Sequence, residues 1–150
     1  MISRILSIVF LVGWSLSAFA QSELILDDTT YIYRSLSEAS KNPDRVFRLY
    51  LVKQKLDSFP EEIFNFKNLT ELNLSKNHIE EIPAAIGTLT NLERLDMSNN
   101  KLVHIPREIG VLKKLKYLGL NRNEIEDLPP TIGLLENLEV LEMWDNELRD

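Results

Sequence analysis

From Arg45 onward, the apolar positions of the chain recur in a block of 23 residues. The second residue of each block is apolar, and it is followed by two variable residues, leucine, one variable residue and then leucine or methionine. Apolar residues that alternate in this way are typical of a strand with one buried face. The opening half of each block therefore predicts a short strand, and consecutive blocks predict a parallel sheet. The blocks span residues 45–67, 68–90, 91–113 and 114–136, and a partial fifth block spans 137–150.

The turn after each predicted strand carries an asparagine at one equivalent position. A short amide side chain there can bond backbone groups that burial would otherwise leave unpaired. We therefore predict a structural asparagine ladder, formed by Asn77, Asn100, Asn123 and Asn146. The closing half of each block, such as Ile82-Pro83-x-x-Ile86-Gly87-x-Leu89, is too short and too proline-marked for a long helix. It predicts a turn or a brief 3₁₀ segment.

One block cannot bury its apolar face alone, because the next copy forms half of its core. The first copy departs from the pattern, with Gln54 in the asparagine position and Phe64 in the glycine position. Atypical terminal copies are typical of the ends of such stacks.

The repeated pattern resembles the leucine-rich-repeat family, in the 23-residue class found in Ras-suppressor-like, Scribble-like and exported bacterial repeat proteins. The resemblance covers Arg45 to Asp150. It implies an α/β solenoid: a right-handed coil with a concave parallel sheet and short 3₁₀ or irregular convex segments. It also implies that the variable strand residues between the leucines form a concave face that contacts partners.

Residues 1–20 have the plan of a secretory signal peptide. Arg4 precedes an apolar run from Ile5 to Leu16, and the segment closes on Ala18-Phe19-Ala20. The alternative is a membrane anchor, but the apolar run is shorter than the roughly 20 residues that a spanning helix needs. We expect cleavage after Ala20 and no membrane span in the mature chain.

Residues 21–44 are predicted to form an N-terminal cap with a short helix. Ser35 followed by Glu38 is typical of a capping box at a helix start. We expect the open end of the first repeat to be covered by Tyr31, Ile32, Tyr33 and Leu36. The alternative is a disordered leader, because residues 27–30 are polar.

Composition excludes several classes of partner and chemistry. The chain has a net charge of -6, which disfavours a nucleic-acid partner, and it has no cysteine for disulfides. Many exported leucine-rich-repeat proteins of animals and plants have disulfide-bonded caps, so the resemblance combined with the lack of cysteine implies a secreted or cell-envelope protein of bacterial type. His78 and His104 fall at different repeat positions, so no metal site is predicted. No nucleophile has a histidine placed to activate it, and we predict neither a catalytic residue nor a cofactor.

The candidate site is the concave face that the resemblance implies. It holds equal numbers of acidic and basic residues, and aromatic residues on a neutral face suit contact with a protein or peptide. The alternative is a solvated sheet face with incidental aromatics. The predicted partner-binding residues are Arg48, Tyr50, Asn73, Arg94, Asp96, Tyr117, Asn121, Glu142 and Trp144.

The leading interpretation is an exported, non-enzymatic module that binds a protein or peptide. The runner-up is the N-terminal recognition arm of a longer receptor or enzyme, and a purely structural role in the envelope stays open. A covering repeat or cap would be needed by Leu138, Leu141, Met143 and Leu148. We therefore expect a longer natural chain first and end-to-end self-association second, with fraying of residues 137–150 as the third outcome.

Overall fold

The computed structural model describes residues 29–149. The predicted signal peptide, residues 1–20, and the first eight residues of the predicted cap, 21–28, lie outside the described residues. Their cleavage and boundaries stay predictions.

One parallel sheet runs through the described chain, and its strands follow one another in sequence order. The register advances by one repeat at each step, so that Leu49, Leu72, Leu95, Leu118 and Leu141 are successive partners. The strands are β1 (Ile32–Tyr33), β2 (Arg48–Tyr50), β3 (Glu71–Asn73), β4 (Arg94–Asp96), β5 (Tyr117–Gly119) and β6 (Val140–Glu142). The repeats therefore form the solenoid that the sequence predicts.

A 3₁₀ segment follows the proline in the closing half of each of the first four repeats. These segments are Glu61–Asn65, Ala84–Thr88, Arg107–Val111 and Pro130–Leu134. The preceding proline is extended, and its carbonyl accepts the first turn's hydrogen bond, as from the amide of Ile86 to Pro83 at 2.9 Å. Proline suits this position because its fixed φ fits and its missing N–H is not needed. The 3₁₀ prediction is confirmed.

The N-terminal segment adds a strand to the sheet, which the sequence analysis did not predict. Ile32 and Tyr33 pair with Arg48 and Leu49, so the sheet has six strands, rather than one strand from each of five repeats. Helix α1 (Leu36–Ala39) begins after Ser35, whose hydroxyl accepts the amide of Glu38 at 3.2 Å. Tyr33 and Leu36 pack against the core of the stack.

The core lies between the sheet and the 3₁₀ segments, and the asparagines link its repeats. Asn100 Nδ2 donates to the carbonyls of Leu74 at 3.0 Å and Met97 at 2.9 Å. Its Oδ1 accepts the amide of Ile79 at 3.0 Å. Asn77, Asn123 and Asn146 make the equivalent bonds. Each amide thus satisfies backbone groups of two repeats.

Burial falls off at the last described repeat. The strand leucine is fully buried in β5, where Leu118 is 0% exposed, whereas the equivalent Leu141 of β6 is 38% exposed. The outer edge of β6 has no neighbouring strand among residues 29–149.

Candidate protein-binding face

The concave face is formed by strand side chains that alternate with the buried leucines. In each three-residue strand of the complete repeats, the central leucine points into the core and its two neighbours point outward. Because the strands are in register, residues 23 positions apart lie side by side on this face.

At the N-terminal end of the face, Arg48, Tyr50 and Glu71 form one cluster. The Tyr50 hydroxyl donates to Glu71 at 2.5 Å, and Arg48 Nη2 lies 2.9 Å from the same carboxylate. Burial raises the pKa of Tyr50, and the hydrogen bond to Glu71 raises it further. Arg48 Nε is buried with no hydrogen-bond partner among the described residues. The sequence analysis did not name Glu71 as a contact.

Asp96 lies at the centre of the face and accepts three hydrogen bonds. Its carboxylate accepts from Asn73 Nδ2 at 3.2 Å, and from the Ser98 amide and hydroxyl at 3.0 and 2.6 Å. Gly119 lies beside it, where a Cβ would come 2.8 Å from the Tyr117 hydroxyl. The missing side chain at residue 119 therefore leaves room for the Tyr117 side chain.

The C-terminal half of the face is organised around Tyr117. The Arg94 guanidinium lies 3.4 Å from the centre of the Tyr117 ring, and the Tyr117 hydroxyl donates to Glu142 at 2.9 Å. Burial, followed by this hydrogen bond, raises the pKa of Tyr117 to about 12. A cation over an aromatic face is attracted by the ring's quadrupole, so Arg94 and Tyr117 hold each other in place.

Trp144 is the most exposed of the predicted aromatic contacts, at 53%. The Arg122 guanidinium lies 4.8 Å from its ring centre and 3.7 Å from the Asp145 carboxylate. Asn121, in the same repeat position as Trp144, is only 7% exposed and offers little surface to a partner. Sequence periodicity could not separate the two, because position in the repeat fixes the backbone and not the side chain's burial.

A shallow cavity of about 350 Å³ opens where the strands begin. Lys116 and Glu93, which form an ion pair at 2.7 Å, lie at its wall together with Arg94 and Tyr117. The sequence analysis did not name Lys116 or Glu93 as contacts. Their spacing of 23 residues could have predicted the pair.

Two negative findings apply to residues 29–149. No cluster of histidine and carboxylate side chains in this part of the chain could hold a metal ion. None of its helices is long and apolar enough to cross a membrane.

The geometry defines a class of protein: a solenoid of short parallel strands stacked on 3₁₀ segments, with an open sheet face. The sequence profile described as "Leucine rich repeat" matches residues 45–102 and 90–148. The chain belongs to the leucine-rich-repeat family. Domains of this family are protein-interaction modules.

Solved structures from bacteria and plants are similar to this chain. A leucine-rich-repeat protein of Leptospira interrogans is 33% identical with a TM-score of 0.59, over 77% of this chain and 36% of that one. Internalin C2 of Listeria monocytogenes is 25% identical with a TM-score of 0.64, over 78% and 50%. The BIR3–SERK2 complex of Arabidopsis thaliana gives 32% identity and a TM-score of 0.65, over 69% and 58%.

The chain therefore spans less than two thirds of the length of each of these structures. A search of curated proteins finds no match.

Proposed function

We propose that the protein is an exported, non-enzymatic module that recognises a protein or peptide through its concave face. The proposed contacts are Arg48, Tyr50, Asn73, Arg94, Asp96, Tyr117, Glu142 and Trp144. Asn121 is left out because it is buried.

The observation that carries the proposal is the fixed arrangement of aromatic side chains on this face. Tyr50 and Tyr117 each donate to a carboxylate and each lie against an arginine. Rigid aromatic side chains dominate the binding energy of protein interfaces, and ordering them in advance lowers the entropic cost of association. The Arg48–Glu71 ion pair beside Tyr50, and the opposite charges of Arg94 and Glu142 on either side of Tyr117, leave the face with little net charge, which suits contact with a partner of low net charge.

Similar structures support a protein or peptide as the partner. The ectodomain of the Arabidopsis thaliana receptor kinase GASSHO1/SCHENGEN3, which is 40% identical over 65% of this chain, was solved in complex with CASPARIAN STRIP INTEGRITY FACTOR 2. The BIR3–SERK2 structure is also a complex. Internalins and receptor ectodomains among the similar structures favour action outside the cytoplasm.

Binding through the concave face is tested with two alanine variants. A partner isolated from the extracytoplasmic fraction of the source cells should bind the Tyr117→Ala protein more weakly, because truncation removes the ring that Arg94 and Glu142 hold. We expect a loss of about 2 kcal/mol, or about 30-fold in Kd, if Tyr117 is an interface hot spot. Val111→Ala, an exposed residue of a 3₁₀ segment, is the matched control. Unchanged affinity for Tyr117→Ala together with loss for Val111→Ala would move the site to the convex side.

Export is tested on the full-length protein expressed in a bacterial host. Mass spectrometry of the protein recovered outside the cytoplasm should give an N-terminus at Gln21. Recovery of intact residues 1–20 on that protein would rule out the proposed cleavage.

A second candidate is the recognition arm of a longer receptor or enzyme. The GASSHO1/SCHENGEN3 structure favours it, because this chain matches only 12% of that ectodomain. Sequencing the reading frame downstream of Asp150 decides between the two: further repeats or a catalytic domain would favour the arm.

A further inference from the structure

Four lysines lie on the turns that follow the first three repeat strands, and we call them the lysine rim: Lys53, Lys55, Lys76 and Lys101. All four are exposed. Lys53 and Lys76 are neighbours across the stack, because the Lys53 amide donates to Ser75 at 3.1 Å and the Lys76 amide to Ser98 at 2.9 Å.

Lys55 and Lys101 lie in a second column, on the other side of the asparagine ladder. His78 stands between them, with its amide bonded to Leu56 at 2.8 Å, and the Lys101 amide is bonded to Ile79 at 2.9 Å. Successive repeats are about 4.8 Å apart, the spacing of paired strands. The rim therefore gathers its positive charges along one border of the concave face.

These lysines differ from three cations of the concave face in having no carboxylate within 4.0 Å among residues 29–149. Arg48, Lys116 and Arg122 each have a carboxylate within 4.0 Å. None of the four rim lysines has one among the described residues. The acidic residues that come two positions after this second column are Asp57 and Glu80. Asp57 lies 3.4 Å from His78, and both acids line an open acidic depression.

The backbone of the rim gives a second observation. Lys53, Lys55 and Lys76 have φ of 58°, 57° and 59°, in the left-handed region that disfavours residues with a Cβ. Asn99 occupies the same column as Lys53 and Lys76 with φ of 55°, so the turn accepts the residue type best suited to it. Lysine is therefore not required by the fold at these positions, where it combines backbone strain with like-charge repulsion.

We propose that the lysine rim binds an acidic, extended peptide segment that crosses repeats one to three. Val52, which is exposed beside Lys53, offers such a peptide an apolar contact. The equivalent rim positions carry Arg122 and Glu124 in the fourth repeat and Asp145 and Glu147 in the fifth. Arg122 is paired with Asp145 at 3.7 Å, so unpaired positive charge on the rim is confined to the first three repeats. This confinement suits a short acidic peptide and opposes a long polyanion. The rim borders the concave face, and its lysines lie in repeats one to three, whereas Tyr117 and Trp144 lie in repeats four and five.

The experiment measures fluorescence anisotropy of a labelled eight-residue peptide of alternating glutamate and alanine, at low salt. Lys53→Asn/Lys76→Asn should bind it about 2- to 30-fold more weakly than the parent, the range expected for losing two surface ion pairs. The melting temperature of this variant should be unchanged or higher, because asparagine tolerates the left-handed turn better. Salt of about 0.5 M should weaken binding to the parent protein, because it screens exposed charges.

The matched control, Lys41→Asn/Lys67→Asn, removes the same charge from exposed lysines outside the rim and should keep the parent's affinity. Tyr117→Ala should also keep it, which separates failure of the rim from failure of the concave face. Equal loss in the control, or no binding of the peptide by the parent protein at millimolar concentration, would overturn the proposal. So would tighter binding of single-stranded DNA at the rim, since that would make the ligand a polyanion and not a peptide.

Discussion

At the scale of single residues, neighbouring ladder asparagines share buried backbone carbonyls: the Leu74 carbonyl accepts from both Asn77 and Asn100. Asn100→Ala should leave the buried Ile79 amide without its acceptor and remove one of the two side-chain bonds to each of the Leu74 and Met97 carbonyls. We expect a loss of about 1–3 kcal/mol in the free energy of unfolding, measured by urea titration.

Asn146→Ala is the control for that change. It removes equivalent bonds, but from a half-buried site where water can replace them. Asn146→Ala should therefore lower the free energy of unfolding by less than Asn100→Ala does. An Asn100→Ala protein as stable as the parent would mean that the ladder contributes nothing to folding.

The Tyr117 side chain should lose its proton at a higher pH than free tyrosine does. Its pKa is raised from 10.0 to about 12, so the folded state holds the phenolic proton more tightly than the unfolded chain does. The resulting stabilisation is complete below pH of about 10 and is lost as pH rises towards about 12. Tyrosinate absorbance of the parent minus that of Tyr117→Phe should therefore rise near pH 12. A difference that rises at the value of free tyrosine would show that the ring is solvated.

At the scale of elements, glycine is needed where adjacent 3₁₀ segments touch. A Cβ on Gly110 would lie 2.5 Å from the Thr131 carbonyl oxygen, whereas a Cβ on Gly133 would meet nothing within 4 Å among the described residues. Gly110→Ala should therefore cost about 1–3 kcal/mol, the usual range for overpacking. Gly133→Ala should leave the urea midpoint nearly unchanged. Equal midpoints for the two variants would show that the segments separate freely.

The repeat elements could be predicted from sequence because each is defined by several apolar positions and a proline. Strand β1 could not, since Ile32 and Tyr33 lie 16 residues before their partners Arg48 and Leu49, outside the repeat spacing. Contacts between residues 23 apart, such as Lys116 with Glu93, follow from the register. The stacking of Arg94 on Tyr117 does not, because the register fixes which side chains are neighbours and leaves their rotamers free.

At the scale of the whole molecule, the stack is a one-dimensional array in which each repeat completes the core of the one before it. The last described repeat supports its predecessor, since the amides of Leu120 and Arg122 donate to Glu142 and Trp144. In that last repeat, Met143 and Asp145 occupy the repeat positions of Leu120 and Arg122. Their backbone amides have no acceptor among the described residues. Stability should therefore decrease toward β6.

Hydrogen exchange and light scattering on the same protein test that gradient and the proposed end-to-end association. Among residues 29–149, β6 is an edge strand, and Leu141 within it and Leu148 after it are exposed. Such an edge is a template for pairing, and apolar surface costs about 25 cal/mol per Å² when it stays in water. At low concentration, amides of residues 138–148 should exchange faster than those of 92–102. Raising the concentration should increase both the scattering mass and the protection of 138–148, because association covers β6. A protein that is monomeric at every concentration, with equal protection in the two segments, would show that this end is closed without a partner.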